Sequence, residues 1–599
     1  MMNFSGARAH KFTESPVLEL RLPAWRSRLM ALLILLSFAV LIGRSFYLQV
    51  LNDDFLQKKG ESRYRQDLEI SALRGRISDR NGDVLAVSTP MKSIWAIPAN
   101  APLETLVKPP AKPPAKALLS AEQVRQLAGL LEMDDKELER RLASDKPLVY
   151  LKRQLPPETA DKVAALKLPG IGQDREYRRY YPASETTAHV VGFTDIDGKG
   201  QEGVELAFQE QLLGRPGSRS VIKDLRGQIV EDVESIRLPR DGKDIHLALD
   251  SKIQYIAYSQ LKQAIEGFKA KAGGVVVADV RSGEILALAN WPSYNPNNRE
   301  HLKGAQLRTR ALTDTYEPGS VMKPFTVALA LETSKVRFDT VINCAPGRLT
   351  IGTATISDSH RHGPLTVAQV IQKSSNVGTA KIAAMLTPEA MWNMYEAIGL
   401  GQAPGLGFPG EVGGRLRPWK SWRPIEQATM SYGHGLSVSL MQLARAYTIF
   451  AREGDIIPLT LTRSDGTPVR AKQVFSQQTA REMRAMLEMT TQPGGTAPKA
   501  RVPGYRVAGK TGTAYKVEGG QYVKKYVASF IGFAPVSDPR VIVAVMIDEP
   551  QGAHFGGDVS GPVFSRVMAG TLRTLGIVPD APVVQAAAAG HDASEREEL

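Results

Sequence analysis

One apolar run near the N-terminus constrains this chain more than any other feature. Residues 29–50 read LMALLILLSFAVLIGRSFYLQV, and about 20 consecutive apolar residues are enough to cross a bilayer as a helix. Arg44 lies near the end of the run, where its side chain can reach the membrane surface. The small residues of a signal-peptide cleavage site do not follow. We therefore predict a retained transmembrane anchor over residues 29–50, and no second run of comparable length appears.

The residues before this run predict its orientation. Residues 1–28 carry five basic side chains, namely Arg8, Lys11, Arg21, Arg26 and Arg28. Positively charged flanks tend to stay in the cytoplasm. We expect a single-pass protein of the inner membrane, with a short cytoplasmic tail and the rest of the chain in the periplasm.

The composition limits the classes of protein to which the chain can belong. The chain has 599 residues, of which 43% are hydrophobic and 23% charged, which is typical of several folded domains. A net charge of +13 suits an anionic surface or polymer. Nucleic acid is disfavoured because there is no zinc-ligand cluster, no Arg-rich recognition helix and no basic strand studded with aromatic residues. Cys344 is the only cysteine, so no internal disulfide forms, and we expect a buried apolar role for it.

Turn and linker signals divide the part outside the membrane. Asn81-Gly82 indicates a tight turn between extended segments, and residues 108–116, KPPAKPPAK, form a stiff exposed insert. A Gly-, Pro- and Asp-containing boundary lies near residues 239–243. We predict one domain over residues 51–240, a second over 241–580 and a disordered tail over 581–599.

The second domain alternates between strand and helix patterns. Strands are predicted over residues 273–279 and 284–290, and a late strand pair over 526–534 and 541–548, with helical segments between them. This order predicts an α+β fold in which a mixed sheet lies beside a helical cluster.

A Ser-x-x-Lys pattern can activate serine, which is otherwise a weak nucleophile. On a helix, residues three apart share a face, and burial favours the neutral amine that takes the serine proton. The pattern occurs three times, at residues 220–223, 259–262 and 320–323. Ser220 lies in an extended stretch, where residues three apart point to opposite faces, and Ser259 lies in the middle of a predicted helix. Ser320 follows a Pro-Gly break suited to a helix start, whose dipole favours an oxyanion, so Ser320 and Lys323 are the candidates.

Two further motifs follow Ser320. Ser374-Ser375-Asn376 lies 374 − 320 = 54 residues later, and Lys510-Thr511-Gly512-Thr513 lies 510 − 374 = 136 residues beyond that. Ser-x-Asn also occurs at residues 293–295, in a Pro/Asn-rich loop that we interpret as structural. Lys-Thr-Gly occurs once, before a predicted strand, and Gly512 would let a substrate approach the backbone closely.

The ordered set resembles that of the penicillin-binding proteins and serine β-lactamases. Residues 310–324, RALTDTYEPGSVMKP, are similar to the nucleophile segment of class B penicillin-binding proteins, and residues 74–82 to the opening motif of their pedestal domain. Residues 432–437 and 556–564 resemble later family segments. Phe555, directly before the last of these segments, stands where the family more usually has tyrosine. Ser-Ser-Asn at the middle motif is similar to the division type, whereas the elongation type usually has Ser-Ser-Asp.

The resemblance implies a fold, an activity and a set of residue roles. It implies a transpeptidase domain with a central antiparallel sheet and a helical subdomain, on an elongated dimerisation-type pedestal. It implies a D,D-transpeptidase of septal wall synthesis that cross-links peptidoglycan stem peptides ending in D-Ala-D-Ala, without metal or cofactor, and that β-lactams acylate. The implied site residues are Ser320 as nucleophile, Lys323 as base, Ser374 and Lys510 as proton relay, and Asn376 on a peptide amide and on Lys323. Thr511, Gly512 and Thr513 bind the substrate, with Thr511 and Thr513 on the terminal carboxylate.

The resemblance also implies partners and leaves alternatives open. The expected partners are an FtsW-type glycosyltransferase and other divisome membrane proteins. An elongation-type transpeptidase, a released β-lactamase, a β-lactam sensor and a catalytically idle divisome scaffold share part of the pattern. The anchor and the long pedestal disfavour a β-lactamase, a sensor needs further spans or a signalling domain, and intact motifs disfavour a scaffold.

Overall fold

The computed structural model of the protein describes residues 24–47, 65–70, 72–98, 119–146, 148–223 and 229–582. Helix α1 (Ala24–Phe46) is the one helix in this part of the chain that is long and apolar enough to cross a membrane. It begins five residues before the predicted span because the turn that carries Arg26 and Arg28 is also helical. Residues 48–50, the predicted insert at 108–116 and the tail after residue 582 lie outside the described residues.

The first domain is built around one long strand. Its elements are β1 (Arg65–Ile70), β2 (Ile77–Ser78), β3 (Val84–Ala96), α2 (Ala121–Leu131), α3 (Asp135–Leu142), β4 (Val149–Leu155), α4 (Pro157–Ala165), β5 (Ile171–Tyr180), α5 (Ala188–Val191), α6 (Gly203–Ala207), α7 (Gln209–Leu212), β6 (Gly217–Lys223) and β7 (Ile229–Arg237). Strand β3 pairs with β2, β4 and β5, and β1, β6 and β7 form a separate sheet. Apolar side chains from α2, α3 and the strands, such as Leu127, Leu138 and Leu151, form its core.

Local sequence explains several of these elements. Ser120 caps α2, because its hydroxyl accepts from the Gln123 amide while the Gln123 side chain accepts from the Ser120 amide, the reciprocal pairing of a capping box. The predicted turn at residues 81–82 joins β2 to β3. Strand β6 contains residues 220–223, so the first Ser-x-x-Lys occurrence is extended, as predicted.

The second domain carries the remaining elements. They are β8 (Ile245–His246), α8 (Ser251–Gly267), β9 (Ala272–Asp279), β10 (Ile285–Trp291), α9 (Gly304–Leu307), α10 (Arg310–Thr313), α11 (Lys323–Glu332), β11 (Val341–Asn343), β12 (Arg348–Ile351), β13 (Ala354–Ser357), β14 (Pro364–Thr366), α12 (Val367–Lys373), α13 (Asn376–Ala383), α14 (Pro388–Ala397), α15 (Pro424–Met430), α16 (Leu440–Ala451), β15 (Asp455–Ile456), β16 (Lys472–Gln473), α17 (Gln477–Met489), β17 (Ala508–Glu518), β18 (Gln521–Ala534), β19 (Val541–Asp548) and α18 (Gly556–Thr574), with 3₁₀ turns at Gly319–Met322, Trp419–Ser421 and Pro498–Ala500. A further 3₁₀ turn, Ser184–Thr186, belongs to the first domain.

A five-stranded antiparallel sheet in the order β10-β9-β19-β18-β17 is the centre of this domain. Alternate residues of β9 enter different cores, because successive strand side chains point to opposite faces. Val275 and Val277 pack with α8 and α18 on one face, and Val276 packs with the helical subdomain on the other. The predicted α+β architecture is therefore confirmed, and Cys344 is fully buried within the helical side.

The pedestal motif is joined to the second domain by backbone and side chains. Strand β2 pairs in parallel with β8, and Asp79 accepts hydrogen bonds from the Ser251 amide and hydroxyl at the start of α8, at 3.0 and 2.8 Å. Beside this contact, Arg74 and Arg179 both bind the carboxylate of Glu205, which is wholly buried. Residues 74–79 therefore contact both the pedestal and the second domain.

Candidate active site

Ser320 lies in a tight turn rather than in the first turn of an α-helix. Gly319 has φ +61° and donates its amide to the Gly433 carbonyl at 3.1 Å. The 3₁₀ turn Gly319–Met322 then leads into α11, which begins at Lys323. A side chain at Gly433 would clash with the Gly319 backbone at 2.2 Å, so glycine at both positions allows the approach that fixes Ser320.

Lys323 is buried one turn after Ser320, on the same side of this segment. Its side chain is wholly buried, and Nζ donates to Ser374 Oγ at 3.1 Å and to the Ser374 carbonyl. In the described part of the chain, no hydrogen bond joins Lys323 Nζ to Ser320 Oγ. Catalytic hydrogen bonds are often made only when the substrate is bound, so this geometry is that of the free site.

Ser374 stands between two helices and between two lysines. It adopts φ 59°, in the left-handed region that costs about 1–3 kcal/mol for a residue with a side chain, and this kink ends α12 and lets α13 begin at Asn376. The helix therefore stops before Ser374, and a new one starts at Asn376. The kink directs Ser374 Oγ at Lys510 Nζ, which donates to it at 2.9 Å.

The Lys510 segment forms the edge strand of the central sheet. Among the residues that the structure describes, strand β17 pairs only with β18 along this stretch, and Lys510 lies opposite Ile531. A side chain at Gly512 would lie 2.8 Å from the Pro318 carbonyl and 2.3 Å from Ser529 Oγ, so glycine is needed for the strand to pack against the Ser320 turn. Thr511 Oγ1 lies 3.1 Å from Thr496 Oγ1, and Thr513 Oγ1 accepts from the Gly556 amide at 3.0 Å.

The two lysines have unusual protonation equilibria. Burial lowers the pKa of Lys510 to about 7. Burial also lowers the pKa of Lys323 well below its usual value, and the positive charge of Lys510 lowers it further, while Asp358 opposes this. Because both amines reach one hydroxyl, the arrangement favours a neutral Lys323 that can accept a proton beside a Lys510 that can still carry charge.

Asn376 belongs to the same cleft but is bound differently from the prediction. Its side-chain amide donates to the Ser357 carbonyl at 2.9 Å, and no hydrogen bond between Asn376 and Lys323 occurs among the described residues. Its place at the start of α13 leaves it beside Ser374. Its contact with a substrate amide and with Lys323 stays a prediction.

Asp358 is a site residue that the sequence did not reveal. Its carboxylate accepts from the amides of Asn376 and Val377, at 2.5 and 3.0 Å, and from the Ser375 hydroxyl at 2.8 Å. An acidic group at a helix N-terminus satisfies free N–H groups and complements the dipole. Asp358 thus holds the segment that presents Ser374 and Asn376. It lies 16 residues before Ser374, outside the reach of any local capping pattern.

Glu317 joins three parts of the cleft wall. It accepts from the Gly435 amide at 2.8 Å and from the Tyr522 hydroxyl at 3.0 Å, and it lies 3.1 Å from His434 Nδ1. Burial alone would raise the pKa of Glu317, but the hydrogen bonds from His434 and Gly435 lower it on balance. The tip of the β17–β18 hairpin is therefore attached to the segment that carries Ser320.

The other motif occurrences are structural. Ser259 donates to the Tyr255 carbonyl within α8, and Lys262 lies over the Trp291 ring. Ser293 donates to the Glu185 carbonyl at 2.8 Å. No group of three or more His, Cys, Asp or Glu side chains suited to a metal ion occurs among the residues that the structure describes.

Comparison with known proteins agrees with this geometry. Residues 273–569 match the penicillin binding protein transpeptidase domain, and residues 69–247 match the penicillin-binding protein dimerisation domain. The chain is 45% identical over 93% of its length to a probable peptidoglycan D,D-transpeptidase PenA from Neisseria gonorrhoeae, covering 94% of that protein. It is 41% identical to peptidoglycan D,D-transpeptidase FtsI from Escherichia coli K12, with 93% of each chain covered.

Two solved structures are similar to the chain over different lengths. The transpeptidase domain of Burkholderia pseudomallei penicillin-binding protein 3 is 55% identical, covers 56% of this chain and 98% of its own, and superposes with a TM-score of 0.52. A peptidoglycan synthetase from Bifidobacterium adolescentis is 26% identical, covers 87% of this chain and 99% of its own, with a TM-score of 0.67. The similarity therefore extends over the pedestal as well as the catalytic domain.

Proposed function

Because the chain belongs to the class B penicillin-binding proteins, the peptidoglycan D,D-transpeptidases of the FtsI and PenA type, we propose that Ser320 is the residue that carries the acyl group. The protein is a serine-type acyltransferase that acts on peptidoglycan stem peptides in cell division and is a target of β-lactams, and one N-terminal apolar helix anchors it in the membrane. The observation that carries the assignment of Ser320 is the convergence of Lys323 and Lys510 on the Ser374 hydroxyl, together with the packing of Gly512, on the Lys510 strand, against the Pro318 carbonyl of the Ser320 turn.

Acylation begins with the bond from Ser320 Oγ to the carbonyl carbon between the last two D-alanines. Lys323 in its neutral form takes the hydroxyl proton, and its low pKa makes that form available. The amides of Ser320 and Thr513 are suited to stabilise the oxyanion that results, as donors fixed before the reaction.

Collapse of this intermediate breaks the carbon–nitrogen bond, and the departing D-alanine amine needs a proton. Ser374 is hydrogen-bonded to both lysines, so it can pass the proton from the Lys323 side to the leaving nitrogen while Lys510 holds its position. Thr511 and Thr513, with Gly512 between them, hold the terminal carboxylate near the charge of Lys510. Asn376 orients the peptide through an amide.

Deacylation completes the cross-link. The amine of a neighbouring stem peptide attacks the ester carbonyl carbon and gives a proton to the neutral amine of Lys323. The carbon–oxygen bond to Ser320 then breaks, and Lys323 returns the proton to Ser320 Oγ, which restores the hydroxyl. The atoms balance without metal, oxidant or cofactor.

Labelling with a fluorescent penicillin tests the nucleophile. Ser320→Ala should abolish the covalent adduct, because no hydroxyl remains to form the ester. Ser259→Ala is a matched control, since Ser259 also begins a Ser-x-x-Lys pattern but bonds within α8, and it should label like wild type. An adduct retained in Ser320→Ala would refute the assignment.

We propose further that the N-terminus is cytoplasmic and the catalytic domain periplasmic. Arg26 and Arg28 at the start of α1 support this orientation through the positive-inside tendency. Protease added to spheroplasts should digest the catalytic domain and spare an N-terminal tag. Digestion of the tag in intact spheroplasts would reverse the orientation.

We also propose which proteins bind this chain. A septal transpeptidase needs newly polymerised glycan, so we expect an FtsW-type glycosyltransferase and other divisome membrane proteins to bind the anchor and the pedestal. A fluorescent fusion should concentrate at midcell and co-purify with such a glycosyltransferase. Side-wall placement would favour the elongation role.

A further inference from the structure

A cavity lies in the helical subdomain among residues that the reaction does not use. It has a volume of about 280 Å³ and lies between the end of α14, helix α16 and the β15–β16 pair. Its charged lining residues are Arg445, Arg470, Lys472 and Glu396.

Arg445 is an exception within its helix. Eleven of the twelve residues of α16 are buried and uncharged, and Arg445 is half-buried at the cavity wall. Its Nε donates to the Ile457 carbonyl at 3.3 Å. In the described part of the chain, its two terminal nitrogens have neither a hydrogen-bond acceptor nor an acidic partner.

A neighbouring arginine shows how this fold normally satisfies such a group. Arg484 is also half-buried, and it donates to the carbonyls of Phe450 and Arg452 and pairs with Glu453. A guanidinium that loses solvent without gaining partners is costly. Arg445 therefore retains donors that a ligand in the cavity can satisfy.

The backbone around the cavity makes room for this guanidinium. Gly399 follows α14 with φ +88°, and a side chain there would lie 3.0 Å from Arg445 Nη1. Glycine therefore leaves the terminal nitrogens free to face the space beside it.

The cavity carries an excess of positive charge. Arg470 and Lys472 are exposed on the opposite wall, and neither forms an ion pair within the residues that the structure describes. Three cations and the carboxylate of Glu396 give 3 − 1 = +2. Burial lowers the pKa of Arg445 with no acidic neighbour to oppose it, yet a guanidinium stays protonated in proteins.

We propose that this cavity binds a phosphate dianion, either inorganic phosphate or the terminal phosphate of a phosphomonoester. The planar donor fork of arginine matches two phosphate oxygens, and a charge of +2 matches a dianion. A carboxylate or a phosphodiester carries one negative charge and would leave one cation unbalanced. The small volume admits one such group with a short substituent.

Calorimetric titration of the detergent-solubilised full chain with inorganic phosphate, at constant ionic strength and pH 8, tests this. Wild type should show saturable binding, and Arg445→Gln should weaken it by about tenfold or more, since the charge-assisted hydrogen bonds of the guanidinium would be lost. Arg125→Gln removes an equal charge from an exposed position on α2 and should leave the affinity unchanged. Equal affinity in Arg445→Gln and wild type would overturn the proposal.

Further ligands and a second variant complete the test. Glycerol 3-phosphate should bind about as tightly as phosphate, whereas dimethyl phosphate and acetate, which are monoanions, should bind more weakly; tighter binding of either monoanion would contradict the charge match. Lys472→Gln, on an exposed side chain that the fold does not depend on, should weaken phosphate binding severalfold. Both variants should label normally with fluorescent penicillin, which shows that the catalytic domain is folded.

Discussion

Two buried lysine side chains reach one hydroxyl, and this limits the protonation states in which the site can work. If both amines were charged, they would repel each other, because both reach the same hydroxyl and little water screens them. The pKa of Lys510 is lowered to about 7 by burial, and that of Lys323 is lowered well below its usual value by burial and then by the charge of Lys510. The pair therefore favours a state in which Lys510 carries the charge and Lys323 is neutral.

The lowered pKa of Lys510 predicts how the rate of acylation changes as pH rises. As pH rises through about 7, Lys510 loses the positive charge that attracts the substrate carboxylate. The second-order rate of acylation by a fluorescent penicillin should therefore fall by about fivefold or more between pH 6 and pH 8. Ser320→Ala supplies the non-covalent background at each pH. A flat profile over this range would show that the charge of Lys510 does not control acylation.

A second prediction concerns Gly433, which packs against the turn that carries Ser320. Gly433→Ala places a methyl group 2.2 Å from the Gly319 carbonyl oxygen, and a side chain at φ +88° adds backbone strain. We expect the free energy of unfolding to fall by about 2 kcal/mol or more and acylation to fall at least tenfold, because the Ser320 turn must move.

The matched control is Gly520→Ala in the β17–β18 turn. Gly520 has a similar φ of +82° but no atom within 4 Å of the added carbon. It should show the strain cost alone and nearly normal acylation, measured by denaturant unfolding and penicillin labelling. Equal effects of the two substitutions would mean that the contact with Gly319 does not matter.

At the scale of elements, the start of α13 decides where the middle motif lies. Asp358→Ala removes the acceptor for the amides of Asn376 and Val377. We expect a loss of stability of about 1–3 kcal/mol and a larger relative loss in acylation rate, about tenfold or more, because Ser374 and Asn376 lose their fixed positions. Ser357→Ala is the control, since Ser357 contributes its backbone carbonyl to Asn376 and its side chain is exposed. Normal acylation in Asp358→Ala would remove this residue from the site.

The same element shows how far the sequence could predict the site. The three motifs were recognisable because each is a short pattern, and the strands of residues 272–279 and 541–548 carry a local apolar signal. The kink at Ser374 was not predicted, because the contacts of its hydroxyl with Lys323 and Lys510 come from distant segments of the chain. Asp358 and Gly433 were missed because their roles depend on partners 18 and 114 residues away, which no local pattern reports.

At the scale of the whole molecule, one short segment contacts both the pedestal and the catalytic domain. Residues 74–79 lie in the pedestal sheet through β2 and reach the catalytic domain through β8 and Asp79. Arg74 and Arg179 share the buried carboxylate of Glu205 next to this joint. The Ser320 site is assembled within the second domain alone, from α11, the α12–α13 kink and β17. Stability of the joint and chemistry at Ser320 should therefore be separable.

Glu205→Gln tests this separation. The substitution leaves two arginine side chains, 6% and 4% exposed, without a balancing charge, and breaking a buried pair in this way costs about 3–5 kcal/mol. We expect the pedestal transition in calorimetry to shift to lower temperature, while the rate of penicillin acylation at 20 °C stays within about twofold of wild type.

Glu137→Gln, which breaks an exposed pair with Arg141 on α3, should shift neither quantity because exposed ion pairs are screened. If Glu205→Gln slowed acylation as strongly as Asp358→Ala, the pedestal would be an active part of the catalytic geometry rather than its support.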